Sequence, residues 1–281
     1  MERATVTSLL SHPSNPHLIH ISSPFCHSLH TQENEAVLAS ACGDGTVKLW
    51  HVGAPPASNP LCSFADHARE VAGLSWNCVR RNLLLSASWD DTVRLWDAAA
   101  PAPLGTFTGH TYCVYAAVWA PAHADVFASA SGDCSVKVWD ARRPPGPPTL
   151  SLAAGGYEVL AADWCKYNDC LLATGSVDKT VSIWDVRRPA GPVAVLRGHS
   201  YAVRRVAWSP HSPTTLASCS YDMSVRLWDT AAGEDACVRV WDQHTEFAVG
   251  LDWSTLVEGR IASAGWDGAV WAWDVRGDPR G

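Results

Sequence analysis

Apolar and polar residues alternate over short stretches along most of the chain. Thr92–Asp97 reads T-V-R-L-W-D and Ser224–Asp229 reads S-V-R-L-W-D. A period of two turns one face inward and predicts half-buried β-strands. These stretches recur at nearly constant spacing. A Trp followed by Asp, or once by His, stands at Trp50, Trp96, Trp139, Trp184, Trp228 and Trp273, at intervals of 46, 43, 45, 44 and 45 residues. That is the length of one four-stranded propeller blade. The pattern predicts an all-β chain, a propeller of six recognisable repeats with the first incomplete.

Polar landmarks keep the same register. Six residues before each Trp lies an Asp: Asp44, Asp90, Asp133, Asp178, Asp222 and Asp267. Four residues before each Asp lies a hydroxyl: Ser40, Ser86, Ser129, Thr174, Ser218 and Ser263. Twenty residues before five of the Trp lies a second Trp: Trp76, Trp119, Trp164, Trp208 and Trp253. Twenty-nine residues before four of them lies a His: His67, His110, His199 and His244. The Asp suits a tight turn, where its carboxylate takes backbone N–H bonds and orients the imidazole. The imidazole then meets the hydroxyl, and the hydroxyl meets the indole N–H, so each buried polar group gains a partner. This resembles the Asp-His-Ser/Thr-Trp network of WD40 proteins. The same residue types suggest a hydrolase triad, but a hydrolase needs one site, and here the set repeats at structural offsets.

Composition fits a globular binding protein: 281 residues, 47% hydrophobic and 17% charged. The net charge of −7 argues against a nucleic-acid partner, because phosphate binding needs a basic surface. The sequence shows no signal peptide and no apolar run that predicts membrane insertion. The ten Cys form no C-x-x-C pair and no zinc spacing, so they are expected to be reduced core residues in an intracellular protein. Five of the twelve His fall at His12, His17, His20, His27 and His30, near Cys26, without metal-ligand spacing. Neither a metal nor a cofactor is expected. Pro-rich stretches at Ala54–Pro60 and Pro144–Pro148 are expected as loops between blades.

The pattern weakens at three places. Gly155 stands where the fourth repeat needs its His, so that network is expected to be looser. Counting back from Trp50 puts Ile21 at the His position and His30 at the second Trp position, so residues 1–35 carry no recognisable first strand of that repeat. After Asp274 only Val275–Gly281 remain, and the last blade lacks its own outer strand. Thr5–Leu10 is the candidate to supply one, on β-propensity. The expected organisation is an atypical N-terminal segment over 1–35, a propeller over 36–275 and a tail over 276–281. Arg276-Gly277-Asp278 belongs to that tail.

Longer stretches carry a more specific resemblance. Asp163–Asp178 (D-W-C-K-Y-N-D-C-L-L-A-T-G-S-V-D), Gly198–Asp229 (G-H-S-Y-A-V-R-R-V-A-W-S-P-H-S-P-T-T-L-A-S-C-S-Y-D-M-S-V-R-L-W-D) and His244–Ser254 (H-T-E-F-A-V-G-L-D-W-S) resemble the receptors for the type-2 peroxisomal targeting signal. That resemblance runs from about residue 36 to the end. It implies a WD40 β-propeller of seven blades, so six repeats point to a truncated ring. It also implies a cytoplasmic receptor that cycles to the peroxisome matrix. The implied partners are cargo proteins bearing the signal, the type-1 signal receptor as co-receptor, and peroxisomal docking proteins.

The signal implied by the resemblance is Arg, an apolar residue, five variable residues, His or Gln, and an apolar residue. Seven residues apart, Arg and His share one face of a helix, so the receptor is expected to offer acidic groups beside an apolar groove. The rim positions, three and five after the His, give Glu70, Ala72, Cys113, Tyr115, Glu158, Leu160, Ala202, Arg204, Phe247 and Val249. The positions before the turn Asp give Gly43, Trp89, Gly132, Val177, Tyr221 and Trp266. Glu70 and Glu158 are expected to take the signal's cationic groups. Trp89, Tyr115, Tyr221, Phe247 and Trp266, with Arg204 beside them, are expected to hold its apolar face. An alternative is a substrate adaptor of a cullin-type ubiquitin ligase, suggested by Trp-Asp-x-Arg boxes at Trp139–Arg142, Trp184–Arg187 and Trp273–Arg276. No nucleophile pair or phosphate loop suggests an enzyme.

Overall fold

The structure, a computed structural model, describes residues 4–5, 26–32, 35–51, 53–100, 102–144 and 146–277. The first strand, β1 (Ala4–Thr5), belongs to the last sheet. The first sheet holds β2 (Cys26–Gln32), β3 (Glu35–Ala41), β4 (Val47–His51) and β5 (Cys62–Phe64). The second holds β6 (Val71–Trp76), β7 (Leu83–Ser88), β8 (Val93–Asp97) and β9 (Pro103–Phe107). The third holds β10 (Val114–Trp119), β11 (Val126–Ser131), β12 (Ser135–Asp140) and β13 (Leu150–Ala153). The fourth holds β14 (Val159–Trp164), β15 (Leu171–Ser176), β16 (Thr180–Asp185) and β17 (Ala194–Arg197). The fifth holds β18 (Val203–Trp208), β19 (Thr215–Ser220), β20 (Val225–Asp229) and β21 (Cys237–Trp241). The sixth runs β22 (Ala248–Trp253), β23 (Arg260–Gly265), β24 (Ala269–Asp274), then β1. These are six propeller blades, and the fold is all-β.

Two differences from the sequence expectation lie at the front. No opening strand for the first blade is expected before residue 36, yet β2 pairs with β3 from Cys26↔Ala41 to Gln32↔Glu35. The segment C-H-S-L-H-T-Q lacks the landmark His and Trp, but pairing needs only backbone N–H and C=O groups. At the other edge, β1 pairs antiparallel with β24 through Ala4↔Val270 and Thr5↔Ala269. The strand sought at Thr5–Leu10 therefore overlaps it at Thr5 alone; Val6–Leu10 lie outside the described residues, as do His12, His17, His20 and Asp278.

The chain divides into two compact units, residues 19–159 and residues 1–18 with 160–281. In the first, Phe107 packs on Phe127 at 4.9 Å and Trp139 at 5.8 Å between ring centroids, and Phe64 stacks on Trp96 at 4.7 Å. In the second, Trp241 lies 5.4 Å from Trp273, and Trp208 and Trp228 are fully buried. Burying such rings supplies most of the driving force. The second Trp of a repeat also ties sheets together. Within the first unit the Trp119 indole donates to the Ser75 carbonyl at 3.1 Å, and within the second Trp253 donates to the Ala207 carbonyl at 2.9 Å.

One turn recurs in every blade. The residue after each turn Asp is left-handed: Gly45, Asp91, Cys134, Lys179, Met223 and Gly268. Four of these carry side chains, a conformation that costs roughly 1 kcal/mol per residue. The turn Asp offsets it. Its Oδ1 accepts the backbone N–H two residues on, at Thr46, Thr92, Ser135, Thr180, Ser224 and Ala269.

The cysteines are not uniformly core residues as expected. Cys42, Cys113, Cys165 and Cys219 are buried, Cys62, Cys134, Cys170 and Cys237 are half-buried, and Cys78 is exposed. These nine, of the ten in the sequence, are free thiols.

Candidate functional site

Four blades carry the full polar network. His67 reaches Asp90 Oδ2 at 2.8 Å through Nδ1 and Ser86 Oγ at 2.7 Å through Nε2, and Trp96 Nε1 donates to Ser86 at 2.8 Å. The corresponding distances are 2.8, 2.6 and 2.8 Å for His110, Asp133, Ser129 and Trp139. They are 2.9, 2.7 and 2.8 Å for His199, Asp222, Ser218 and Trp228. They are 3.0, 2.9 and 2.8 Å for His244, Asp267, Ser263 and Trp273. A carboxylate only accepts, so Nδ1 carries the proton that it receives. Burial alone would push the pKa of Asp90 and Asp222 up, but the His hydrogen bonds and those of Thr92 and Ser224 outweigh it and hold both well below the usual carboxylate range. Burial pushes the His110 imidazole down against the pull of Asp133.

The fourth blade lacks the imidazole. Gly155 is left-handed with open space around it. Trp184 still donates to Thr174 Oγ1 at 2.9 Å, and Thr174 turns its own proton to the Ser182 carbonyl at 3.4 Å. Asp178 retains its turn bonds to Thr180. In the first blade Trp50 donates to Ser40 at 2.8 Å.

These networks fix the turns that carry the rim residues. In β6, β10, β18 and β22 the pairing slips by one residue near the strand start, leaving out Ala72, Tyr115, Arg204 and Val249. These are the positions five after each His. A bulge residue has no ladder partner and its side chain is re-aimed. The backbone N–H before each turn Asp bonds the carbonyl three after the His: Trp89 to Glu70, Gly132 to Cys113, Tyr221 to Ala202 and Trp266 to Phe247. Each of these four blades thereby presents a fixed pair of residues beside its bulge.

Two side-chain clusters result, one in each unit. In the first unit Trp89 meets Tyr115 edge-on at 6.3 Å, and the Tyr115 hydroxyl donates to Glu158 Oε2 at 2.9 Å. Burial first, then the Glu158 carboxylate, pushes the Tyr115 hydroxyl far above its ordinary value. Glu70 instead lies 3.9 Å from the Arg69 guanidinium, so its charge is partly offset. In the second unit Tyr221, Phe247 and Trp266 form a triangle with centroid distances of 4.9, 5.2 and 6.4 Å. Trp266 is 63% exposed, and Arg204 sits half-buried on β18. Of the other rim positions, Ala72, Cys113 and Leu160 are buried.

Sequence reasoning missed a further set. Tyr112, Tyr157 and Tyr201 are 52%, 57% and 62% exposed. They occupy the position two after the His, or after Gly155 in the fourth blade, one short of the positions chosen. Recurrence of Tyr there was the available signal. The Arg residues of the Trp-Asp-x-Arg boxes fold back on their own blades. Arg142 forks onto Asp140 at 2.9 and 2.7 Å, Arg187 onto Asp185 at 2.9 and 2.7 Å, and Arg276 meets Glu258. Among the described residues no His, Cys, Asp or Glu group is arranged to hold a metal, and no helix is long and apolar enough to cross a membrane.

Six four-stranded sheets, each pinned by an indole-to-hydroxyl bond or its full network, define a WD40 β-propeller. The WD domain, G-beta repeat family matches residues 2–51, 58–97, 101–140, 148–185 and 190–229. The sixth blade carries the full network outside those matches. The chain is 58% identical over 250 residues to peroxisome biogenesis protein 7 of Arabidopsis thaliana, covering 89% of this chain and 78% of the relative. It is 48% identical over 230 residues to the peroxisomal targeting signal 2 receptor of Dictyostelium discoideum, covering 82% and 72%. A 77-residue stretch, 27% of this chain and 23% of the relative, is 40% identical to the receptor of the same name from Homo sapiens. The chain belongs to the peroxisomal targeting signal 2 receptor family.

Proposed function

We propose that this chain is an import receptor that binds the N-terminal type-2 peroxisomal targeting signal of cargo proteins. The observation that carries the reading is 58% identity to a peroxisome biogenesis protein across 89% of the chain. The two clusters support it chemically. A helical signal with cationic and apolar residues on one face needs a carboxylate and an aromatic bed. Glu158 beside Tyr115 and Trp89 offers the first, and the Tyr221–Phe247–Trp266 triangle offers the second. The chain acts by binding rather than by catalysis, in the cytoplasm and in transit to the peroxisome. The type-1 signal receptor serves as co-receptor, and peroxisomal docking proteins receive the complex.

A fluorescent signal peptide titrated with the purified chain tests this. Saturable binding is expected, abolished by Glu158→Lys combined with Glu70→Lys. Glu158→Lys alone is expected to cost more than Glu70→Lys alone, because Arg69 already offsets Glu70. Unchanged affinity in the double variant rules out the acidic clamp.

A further inference from the structure

Two positions before the blade Trp, β4, β8, β12 and β20 carry a cation: Lys48, Arg94, Lys137 and Arg226. In the first three the outer strand sets a hydroxyl residue opposite it, Ser63, Thr106 and Ser151, and each cation has an oxygen nearby. Lys48 lies 3.8 Å from Asp44, Arg94 lies 3.9 Å from Asp66, and Lys137 donates to Ser151 Oγ at 3.4 Å. The fifth blade departs from this pattern. Val240 stands opposite Arg226, and Gly198 holds the position that Asp66 has in the second blade. A Cβ on Gly198 would lie 2.7 Å from Arg226 Nη1, so the guanidinium rests against bare backbone. Nη1 reaches the Cys237 thiol at 3.8 Å, and Nε is buried with no partner. Among the described side chains none gives Arg226 an oxygen. Beside it lies a cleft of about 430 Å³ between β17 and β21, lined by all four residues of β17 and by Trp228 and Cys237. Arg197, at the end of β17, is exposed and holds no ion pair among the described residues. Val195 and Val240 are 40% and 44% exposed on the two outer strands.

We propose that this cleft docks an extended acidic segment of a partner protein, with one carboxylate seated at Arg226 and Arg197 and aliphatic neighbours on Val195 and Val240. A carboxylate matches the planar N–H fork of a guanidinium. A buried N–H without an acceptor is costly, and an entering oxygen removes that cost. The two exposed valines suit a segment rather than a free acid, because a free acid leaves them wet. β17 is also the outer edge of its sheet, so its outward backbone groups suit an extended chain. The cleft shares no residue with the two rim clusters, and the proposal does not depend on the targeting-signal reading.

The test uses the full chain, a labelled hexapeptide of alternating glutamate and valine, and the same peptide with glutamine for glutamate. The acidic peptide is expected to bind about tenfold or more tightly than the glutamine peptide, the scale of one charge-assisted hydrogen bond. Arg226→Gln is expected to remove that difference and Arg197→Gln to reduce it. Arg197 is exposed, so its variant keeps the fold, and thermal melting monitors Arg226→Gln. Bound acidic peptide is expected to slow alkylation of Cys237 while exposed Cys78 reacts as before. Signal-peptide affinity is expected to be the same in both variants as in the unmodified chain. Equal affinity for the two hexapeptides, unaltered discrimination in Arg197→Gln and folded Arg226→Gln, or Cys237 alkylation indifferent to the peptide would each overturn the proposal. Protection of Cys237 by free glutamate as strong as that by the peptide would overturn it too, assigning the cleft to a small acid.

Discussion

At the scale of single residues, the turn Asp does two tasks whose weights differ between blades. Asp133 accepts from His110, from Thr111 N–H, and from the Ser135 backbone and hydroxyl. Asp178 accepts from the Thr180 backbone and hydroxyl, and Gly155 offers it no imidazole. Asp133→Ala leaves a buried imidazole N–H without its acceptor, and Asp178→Ala does not. The first is expected to destabilise by about 1–3 kcal/mol more than the second, read from urea midpoints at unchanged slope. Equal losses would show that the imidazole contributes nothing through this contact. The networks were legible in the sequence because each member sits at a fixed offset from a Trp. Tyr recurs at Tyr112, Tyr157 and Tyr201, but the close seating of the Tyr112 ring over Gly132 was not legible, because it depends on Gly132 lacking a side chain. The unequal surroundings of Glu70 and Glu158 were equally hidden, since Arg69 and Tyr115 act through side-chain reach rather than spacing.

At the scale of elements, the inner strands are joined by indoles. Trp119→Phe keeps most of the buried ring but removes the bond to the Ser75 carbonyl. It is expected to cost about 1 kcal/mol, measured by thermal or urea unfolding. Acid acts on the turns. Asp90, Asp133, Asp222 and Asp267 are held below their ordinary value of 3.8. Their contribution is full above that value and is lost as pH falls through it, because the unfolded chain then binds more protons. His110 is pushed below its ordinary 6.5, so its contribution also declines on acidification, beginning near 6.5. The urea midpoint is expected to be level above about pH 7, to fall gently below 6.5 and steeply below 4. A midpoint that rises on acidification would contradict the assignment. Alternation revealed strands such as β8 and β20, and the Trp spacing revealed the repeat, but the outer strands β9, β13, β17 and β21 carry no landmark. Alternation failed for β2, whose C-H-S-L-H-T-Q segment has no landmark side chain, and it did not reveal the one-residue slips in register at Tyr115 and Arg204. A bulge changes pairing without changing composition.

At the scale of the whole molecule, the proposed receptor role makes binding depend on charge and on aromatic surface. A net charge of −7 favours approach of a cationic peptide, and salt screens that attraction. Signal-peptide affinity is expected to fall several-fold between about 0.05 and 0.5 M salt, chiefly in the association rate. Phe247→Ala, at the middle of the aromatic triangle, is expected to weaken binding about tenfold or more with little change in salt dependence. A salt-insensitive affinity would assign recognition to the apolar contacts alone.

The uneven wetting of the indoles has an optical consequence. Among the described residues Trp266 is the most exposed tryptophan, while the indole-to-hydroxyl tryptophans Trp96, Trp139, Trp184, Trp228 and Trp273 are sealed at 2% or below. Iodide collides with what water reaches, so intrinsic emission should lose a red-edged component dominated by Trp266, with smaller losses from half-buried Trp50, Trp89 and Trp271, and keep a blue remainder. A ligand lying across the second unit's aromatic triangle would shield that component, giving the protein a built-in, label-free gauge of its own occupancy.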